Sequence, residues 1–202
     1  MALYHFSVRH VSRGKGQMVV ASAAYISGQR IYDGYYNKIH DYTSKSGVVF
    51  TEILTPEYVP ERMTDRETLW NEVEHVERNN KAQLAYSFDI ALQSELTLEE
   101  NIRLAKEFCQ EQFVVRGMIV DLAVHEGKSD NEEEPDNPHF HVLAPIRPFT
   151  EEGIWGNKQR REYILDEDGN RVKDAKGKDM FNAVSTTGWN DPELLKEWRR
   201  AW

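Results

Sequence analysis

Two strand-like runs separated by an acidic segment constrain the fold of this chain more than any other feature. The first run, "MIVDLAVH", covers residues 118–125, and the second, "HFHVLAPI", covers residues 139–146. Both are rich in apolar and β-branched residues, which favours strands. The polar segment between them is long enough to reverse the chain. The sequence therefore predicts that the two strands lie antiparallel, as a wide hairpin.

Three histidines would meet at the loop end of this hairpin. Residues two apart on a strand project from the same face, so His139 and His141 share one side of the second strand. His125 ends the first strand, and a wide hairpin brings it beside the pair. Three neutral imidazoles with open coordination positions are typical of a catalytic metal site. The alternative is that these are partly exposed histidines at strand ends.

Acidic residues near the histidines allow more than one interpretation. Asp121 lies four residues before His125 on the same strand face, where its carboxylate could accept a hydrogen bond from a metal-binding histidine. A packing or surface role fits Asp121 equally well. The acidic residues between the two strands predict a solvated loop rather than a set of ligands. They are Asp130, Glu132, Glu133, Glu134 and Asp136.

The charge balance argues against a generic nucleic-acid binder, because the net charge is -9 and backbone affinity comes mainly from Lys and Arg. The charge is unevenly distributed, however. Residues 1–50 carry six Lys/Arg and two Asp/Glu, a net +4, whereas residues 51–137 carry eight against twenty-one, a net -13. The N-terminal segment can therefore still contact phosphate. The single Cys109 excludes an internal disulfide and a multi-cysteine zinc site, and its apolar surroundings predict a core position.

The order of the predicted elements favours an α+β fold, an antiparallel sheet covered by helices. At 202 residues the chain is most simply one domain, or one domain with a trailing extension. No apolar run approaches the roughly 20 residues that span a bilayer, and no signal peptide is evident, so we expect a cytoplasmic protein. The predicted elements are strands at 3–11 and 82–92, helices at 19–31, 64–80 and 98–115, a loop or short hairpin at 32–50, a polar hairpin around Asp168 and Gly169, and a final helix starting at Asp191.

Tyr25 is the candidate for a second reactive group. A metal on three histidines could serve hydrolysis, oxygen chemistry or phosphate chemistry, so another side chain must decide between them. Several neighbours of Tyr25 are small, which would let a bulky substrate approach, although a tyrosine in such a helix can also be a core residue. These neighbours are Ser22, Ala23, Ala24, Ser27 and Gly28. A phenol, with an ordinary pKa near 10, is a poor nucleophile until a metal or base stabilises the phenolate. Attack on a metal-bound phosphodiester would give a phosphotyrosine ester.

Several segments together resemble the MobA/MobL (MobQ) family of plasmid mobilisation relaxases, which are HUH endonucleases. The resemblance covers essentially all 202 residues in the order of the family. The segments are "YHF" near the N-terminus, "SAAYISGQRI", "DYTSKSGVVFTEIL", "KAQLAYSFDIAL", "MIVDLAVH", "NPHFHVLAPIRP" and "WNDPELLKEWRRAW". The resemblance implies a central five-stranded antiparallel sheet flanked by helices. It also implies that residues 1–202 are the relaxase domain, the N-terminal part of a longer protein.

The activity implied by the resemblance is metal-dependent nicking and joining of one DNA strand at a plasmid origin of transfer. Tyr25 matches the nucleophile, which would form a 5′-phosphotyrosyl intermediate, and His125, His139 and His141 match the metal ligands. The expected cofactor is a divalent metal, Mn²⁺ or Mg²⁺. The expected partners are origin-of-transfer DNA, as a single strand with a flanking hairpin, and the accessory and coupling proteins of a relaxosome in the bacterial cytoplasm.

One strand departs from the pattern of the family. Family members commonly carry an acidic residue preceded by Arg in the strand equivalent to "LAYSFDIAL", and here those places hold Ser87 and Tyr86. The missing carboxylate would orient a metal-binding histidine in the relatives. Asp89 lies two residues further on the same strand face and is a conceivable substitute, displaced by roughly 6 to 7 Å along the strand. We therefore expect a metal affinity or preference that differs from the norm of the family.

Basic and aromatic residues near the N-terminus suit single-stranded DNA, because cations follow the backbone while aromatic rings stack on bases. A solvated loop with some buried tyrosines is the alternative. The candidate cations are Arg13, Lys15, Lys38 and Lys45, beside the aromatic residues Tyr32, Tyr35, Tyr36 and Tyr42. Arg160 and Arg161, or Arg199 and Arg200, could extend this surface to a flanking DNA hairpin. We expect Trp189, Trp198 and Trp202 to be packing residues rather than base stackers.

Three other functions remain open on the sequence. A rolling-circle replication initiator uses the same chemistry, but those proteins usually place the tyrosine after the histidine pair. A cupin-like metalloenzyme would be expected to have a later histidine ligand, and no histidine follows His141. A non-catalytic DNA-binding module with a structural zinc would bind metal without cleaving DNA.

Overall fold

A computed structural model describes residues 4–127 and 137–202. The five acidic residues predicted to form a solvated loop, at positions 130–136, lie outside the described residues. The strands are β1 (Phe6–Ser12), β2 (Arg30–Asp33), β3 (Lys38–Asp41), β4 (Val48–Leu54), β5 (Gln83–Ala91), β6 (Val120–His125), β7 (His139–Pro145), β8 (Gln159–Tyr163) and β9 (Phe181–Ser185). The helices are α1 (Val19–Ser27), α2 (Arg66–Val76), α3 (Leu98–Gln112) and α4 (Pro192–Ala201).

A five-stranded sheet of order β1-β5-β7-β6-β4 forms the centre of the fold, and all its strand pairs are antiparallel. One face carries Phe88 and Phe140, which pack in a core with α3 and α4. The opposite face carries Ala123 and Leu143, which pack in a second core with α1 and α2. The predicted α+β fold with a central five-stranded antiparallel sheet flanked by helices is confirmed. A single sheet between helices also argues against the cupin-like alternative, which requires a double-sheet jelly roll.

The predicted hairpin of the histidine-bearing strands is confirmed. β6 and β7 are adjacent and antiparallel, and their register pairs His125 with His139. From Tyr86 to Ile90 the alternation of β5 is also as predicted, because Tyr86, Phe88 and Ile90 are buried in one core and the residues between them are only partly buried. At the start of the strand, Leu84 is buried in the opposite core. These strands form because each presents an apolar residue at every second position, which the sheet buries beneath a layer of helices.

The helices on the α3 face form largely as predicted. Thr97 and Glu100 make the reciprocal capping box of α3, and Cys109 is buried in the core, where burial raises the pKa of its thiol. Asp191 caps α4, whose Trp198 is buried against Phe88 and Phe113. Trp189 is also buried, and Trp202 packs on Phe108 and Phe140, so all three tryptophans are packing residues as expected.

The segment 28–54 contains more regular structure than the sequence predicted. The predicted helix at 19–31 ends at Ser27, because Gly28 adopts a left-handed conformation with φ of 64°. A Cβ atom at Gly28 would lie 3.2 Å from Val48, so the chain turns here beside β4. The expected short hairpin forms as β2 and β3, but β4 itself was missed. Its side chains are all partly buried, which hides the alternation that marks a strand with one buried face.

A further hairpin, β8 paired antiparallel with β9, forms a separate two-stranded sheet. Its tip contains two tight turns, at Asp166–Asn170 and Asp174–Lys178, each closed by a backbone hydrogen bond. The first turn includes Gly169 with positive φ, which confirms the predicted polar hairpin. Within the described ranges, no helix has both the length and the apolar character needed to cross a membrane.

Candidate active site

The structure brings His125, His139 and His141 together at one end of the central sheet. His125 ends β6, and the other two lie on β7. Their ring centroids are separated by 5.1 Å for His125 and His139, 4.7 Å for His125 and His141, and 4.9 Å for His139 and His141. One ring nitrogen from each lies within 4.8 Å of the others. This spacing lets three imidazoles coordinate one ion, with the remaining coordination positions open to substrate.

Hydrogen bonds orient two of the three imidazoles. Nε2 of His125 lies 2.7 Å from the carbonyl oxygen of Ile26, and Nδ1 of His139 lies 2.7 Å from that of Asn137. A carbonyl oxygen only accepts, so both of these ring nitrogens carry protons. Nδ1 of His125 and Nε2 of His139 are therefore left with a free lone pair. Hydrogen bonds of this kind fix the tautomer and orientation of metal-binding histidines.

Burial keeps two of the histidines, His125 and His141, in the neutral form that binds metals. It lowers the pKa of His125 to about 4, against the opposing hydrogen bond to Ile26. Burial also lowers the pKa of His141 to about 4, against the attraction of the Asp89 carboxylate. Both rings are thus neutral at pH 7 without needing to lose a proton when a metal binds.

Asp121 does not support a histidine, contrary to the role suggested from the sequence. Its carboxylate is completely buried and accepts from Nε and Nη2 of Arg66 at 2.8 to 3.0 Å. It also accepts from the indole nitrogen of Trp70 at 2.8 Å. Asp121 lies four positions before His125, roughly 13 Å away along the strand, so the shared face does not bring the side chains together. Asp121 instead links β6 to α2 through these hydrogen bonds.

Asp89 places a carboxylate opposite His141, whereas the strand register places Ser87 away from the histidines. Asp89 pairs directly with His141 across β5 and β7, whereas Ser87 pairs with Leu143. Side chains at directly opposed positions have Cβ atoms roughly 5 Å apart. Asp89 lies two residues beyond Ser87, the position of the acidic residue in the family. This displacement along the strand is what places Asp89 next to His141.

Tyr25 lies on α1 with its side chain turned outward. The residue is 50% exposed, while its neighbours Ala23 and Ala24 are fully buried, so Tyr25 is not a core residue. Its ring packs edge-to-face with Tyr42 at 5.4 Å, and Nζ of Lys45 lies 3.7 Å from the ring centroid. The next residue, Ile26, supplies the carbonyl that binds His125. The tyrosine helix and the histidine cluster are thus in direct contact.

Arg13 is not a DNA contact, because its guanidinium is buried and bound within the protein. It forms a 2.6 Å ion pair with the buried Glu74 and donates to the carbonyl oxygens of Glu74, Glu77 and Asn79. The other oxygen of Glu74 accepts from the backbone N–H of Val19 and so caps α1. Met18, at the N-cap, provides no side-chain cap, and no pattern in the sequence indicated that a residue 55 positions away does so.

The other cations predicted to bind DNA remain accessible in part. Lys15 and Lys38 are exposed. Arg160 pairs with Glu162 on the exposed surface of β8, and Arg161 stacks over Phe181 at 4.6 Å. The aromatic residues Tyr32, Tyr35 and Tyr36 are 39 to 45% exposed on and around the β2–β3 hairpin. DNA binding by these residues stays a prediction. Lys45 contacts Tyr25 instead, which the sequence did not indicate.

Comparisons with known proteins agree on one family. The model of the MobA/MobL family matches residues 17–202. The conjugal transfer protein TraA of Agrobacterium fabrum is 36% identical over 202 residues, which cover 94% of this chain and 18% of TraA. The probable mobilization protein MobA of Bifidobacterium longum is 34% identical over 174 residues, which cover 85% of this chain and 30% of that protein.

A solved structure shares the fold over the whole chain. It is described as "Molecular Basis of Vancomycin Resistance Transfer in Staphylococcus aureus" and superposes with a TM-score of 0.79 at 34% sequence identity. The match covers 100% of this chain and 89% of the solved chain. The curated relatives are much longer, since this chain spans less than a third of TraA and of MobA.

Proposed function

This chain belongs to the MobA/MobL family, and we propose that it is a metal-dependent DNA relaxase that nicks one strand at a plasmid origin of transfer. In this proposal residues 1–202 form the nicking domain, which starts conjugative mobilisation in the bacterial cytoplasm. The observation that carries the proposal is the contact between the histidine cluster and the helix that bears Tyr25. Three convergent histidine nitrogens lie at the end of the sheet, and the backbone beside the half-exposed Tyr25 binds one of those histidines.

The three histidines fit a divalent cation. The donor set consists of three imidazoles, two of which are oriented by hydrogen bonds to carbonyl oxygens. Of the two expected ions, Mn²⁺ suits nitrogen ligands better than the harder Mg²⁺, which prefers oxygen. When bound, the cation would act as a Lewis acid that polarises an oxygen of the scissile phosphate. Asp89, opposite His141, would hold that ring in position through its negative charge.

Tyr25 would act as the nucleophile. Its phenol loses a proton to solvent, Oη forms a bond to phosphorus, and the bond from phosphorus to the 3′ oxygen breaks. The 3′ oxygen takes up a proton, and the 5′ phosphate stays attached to Tyr25. Because the ester keeps the energy of the broken phosphodiester, the reverse reaction can rejoin the strand. The small side chains around Tyr25 on α1 leave room for a DNA strand to approach the ring.

The DNA would extend from Tyr25 over the exposed basic and aromatic residues. Lys15, Lys38 and the β2–β3 tyrosines suit the single strand, and Arg160 and Arg161 of the β8–β9 hairpin suit a flanking DNA hairpin. Accessory and coupling proteins of a relaxosome complete the proposed set of partners. The family relationship supports DNA as the substrate, because the curated relatives are named as conjugal transfer and mobilization proteins.

Formation of a covalent protein–DNA adduct tests this function. A single-stranded oligonucleotide spanning the cognate nick site should give an adduct of increased mass on a denaturing gel when Mn²⁺ is present. Tyr25→Phe should give none, because it lacks the phenolic oxygen. Tyr58→Phe, which removes the same oxygen from a half-buried tyrosine outside the site, should behave as the parent protein. Adduct formation by Tyr25→Phe at the parent rate would overturn the assignment.

A further inference from the structure

Lys45 lies directly over the ring of Tyr25. Its Nζ atom is 3.7 Å from the ring centroid, and it also donates to the carbonyl oxygen of Tyr25 at 3.1 Å. Tyr42 contacts the same ring edge-to-face, with an interplanar angle of 87°. The phenol is therefore bounded by a cation and by an aromatic neighbour, both from the loop between β3 and β4.

Backbone hydrogen bonds hold this loop at both ends. Near its start, the N–H of Tyr42 donates to the carbonyl of Gln29, just beyond α1, at 3.2 Å. Near its end, the carbonyl of Gly47 accepts from the N–H of Glu126 at 2.9 Å, one residue after the metal-binding candidate His125. Within the loop, the N–H of Lys45 donates to the carbonyl of Tyr42 at 2.9 Å. Lys45 is thus fixed with respect to both the nucleophile helix and the histidines.

The surroundings of Lys45 strengthen its interaction with the ring. The residue is only partly exposed, and burial lowers the pKa of its ammonium group. Partial removal from water strengthens electrostatic interactions, including that between a cation and the face of an aromatic ring. The titratable groups around this cation are Tyr25 and Tyr42 at its side, and His125 and His141 within electrostatic range.

We propose that Lys45 is a positioning residue for Tyr25, which holds the phenol ring in place and stabilises negative charge on it during DNA cleavage. This inference rests on the proposed function. As Oη attacks phosphorus, its proton has passed to solvent and the ring carries part of the phenolate charge, which the ammonium opposite the ring face stabilises. In the rejoining reaction Tyr25 is the leaving group, and Lys45 stabilises the same charge again. Lys45 itself neither gains nor loses a proton in either direction.

The contact can be tested without DNA or metal. In protein with ¹³C-labelled tyrosine rings, the signals absent from Tyr25→Phe identify Tyr25 in the NMR spectrum. Lys45→Met removes the charge but keeps most of the stem, and should shift the Tyr25 ring signals, whereas Lys45→Arg should shift them less. Lys106→Met is the matched control, because Lys106 lies over the ring of Phe50 on the other side of the sheet. Tyr25 signals unchanged in Lys45→Met would overturn the inference.

The contribution to cleavage separates positioning from simple DNA binding. With Mn²⁺ and the oligonucleotide that forms an adduct with the parent, Lys45→Met should lower the single-turnover rate at saturating DNA by about 10-fold. Its DNA affinity should stay close to that of Lys106→Met, and Lys45→Arg should restore most of the rate. A loss of affinity with an unchanged saturating rate would mean that Lys45 only contacts the DNA backbone, which overturns the inference. An adduct formed by Tyr25→Phe would instead refute the proposed function. The NMR experiment would still show whether Lys45 contacts the ring of Tyr25.

Discussion

His125 and Ile26 are joined by a hydrogen bond of 2.7 Å from the imidazole Nε2 atom to the backbone carbonyl oxygen. Ile26 follows Tyr25 on α1, so this bond connects the candidate metal centre to the helix of the candidate nucleophile. The same bond leaves Nδ1 of His125 free to bind a metal. Any shift of α1 would therefore rotate His125, which means that the position of Tyr25 and the geometry of the three candidate metal ligands depend on each other.

The free energy of unfolding of the metal-free protein should fall as the pH falls from about 6.5 to about 4. Burial lowers the pKa of both His125 and His141 to about 4, whereas histidines in the unfolded chain titrate near 6.5. Between these values the unfolded chain binds more protons than the folded chain, so acidification favours unfolding. Above about pH 6.5 both histidines are neutral in the folded and the unfolded chain, so their protonation does not lower the free energy of unfolding there. Urea unfolding at a series of pH values should show a loss on the order of 2 kcal/mol across this window, after allowance for solvent screening.

Variants of the histidines provide the controls for this pH dependence. The double variant His125→Asn with His141→Asn should show a shallower decrease of stability between about pH 6.5 and 4. His75→Asn, at an exposed histidine on α2, should keep the parent slope. An unchanged slope in the double variant would assign the pH dependence to other groups.

Asp121→Asn should destabilise the fold without reducing Mn²⁺ affinity. The substitution leaves the buried guanidinium of Arg66 without its counter-charge, which typically costs about 3 to 5 kcal/mol. Urea unfolding gives the stability, and loss of the free Mn²⁺ signal in electron paramagnetic resonance gives the affinity. Glu162→Gln, which breaks an exposed ion pair with Arg160, should cost less than about 1 kcal/mol. Loss of Mn²⁺ binding in folded Asp121→Asn would restore a role at the metal site.

The sequence was sufficient to predict features that depend on short-range periodicity. Alternation with a period of two placed β6 and β7 and directed His139 and His141 to one face, and the register then brought His125 beside them. The capping box at Thr97 was readable for the same reason, because its two residues are only three positions apart. Small side chains around Tyr25 correctly suggested an accessible ring.

Features that depend on contacts between distant segments could not be predicted in this way. Asp121 shares a strand face with His125, yet its partners lie on α2, more than 50 positions earlier in the chain. The partner of Arg13 is also distant in the sequence. Its positive charge suggested DNA binding, but in the structure it forms a buried ion pair with Glu74 of α2. Periodicity shows which side of an element is buried, but it does not show which charged group is opposite. The position of Lys45 over Tyr25 is a further example.

Arg13 and Lys15 should respond in opposite ways to removal of their charge. Arg13→Met leaves the buried carboxylate of Glu74 unpaired and should lower stability by about 3 to 5 kcal/mol, with little effect on DNA affinity of the folded protein. Lys15→Met, at an exposed position, should leave stability nearly unchanged. Fluorescence anisotropy with a labelled single-stranded oligonucleotide, repeated over a range of salt concentrations, measures the affinity. Losing one phosphate contact should reduce the slope of log affinity against log salt by about 0.7. A reduced slope in Arg13→Met rather than in Lys15→Met would reverse the two assignments.

Asp89→Asn should weaken Mn²⁺ binding, and Ser87→Ala should not. Asp89 faces His141 directly across the two strands, and its negative charge favours a fixed, electron-rich imidazole. Substitutions at residues that support a metal ligand commonly reduce affinity by about 10- to 100-fold, and the lower end is expected because no hydrogen bond joins Asp89 to His141 in the described part of the chain. Ser87 is the matched control because it lies on the same strand face but pairs with Leu143. Titration of each variant with Mn²⁺, followed by electron paramagnetic resonance, gives the affinities. Equal affinities in the parent and Asp89→Asn would show that three histidines alone determine the strength of this site.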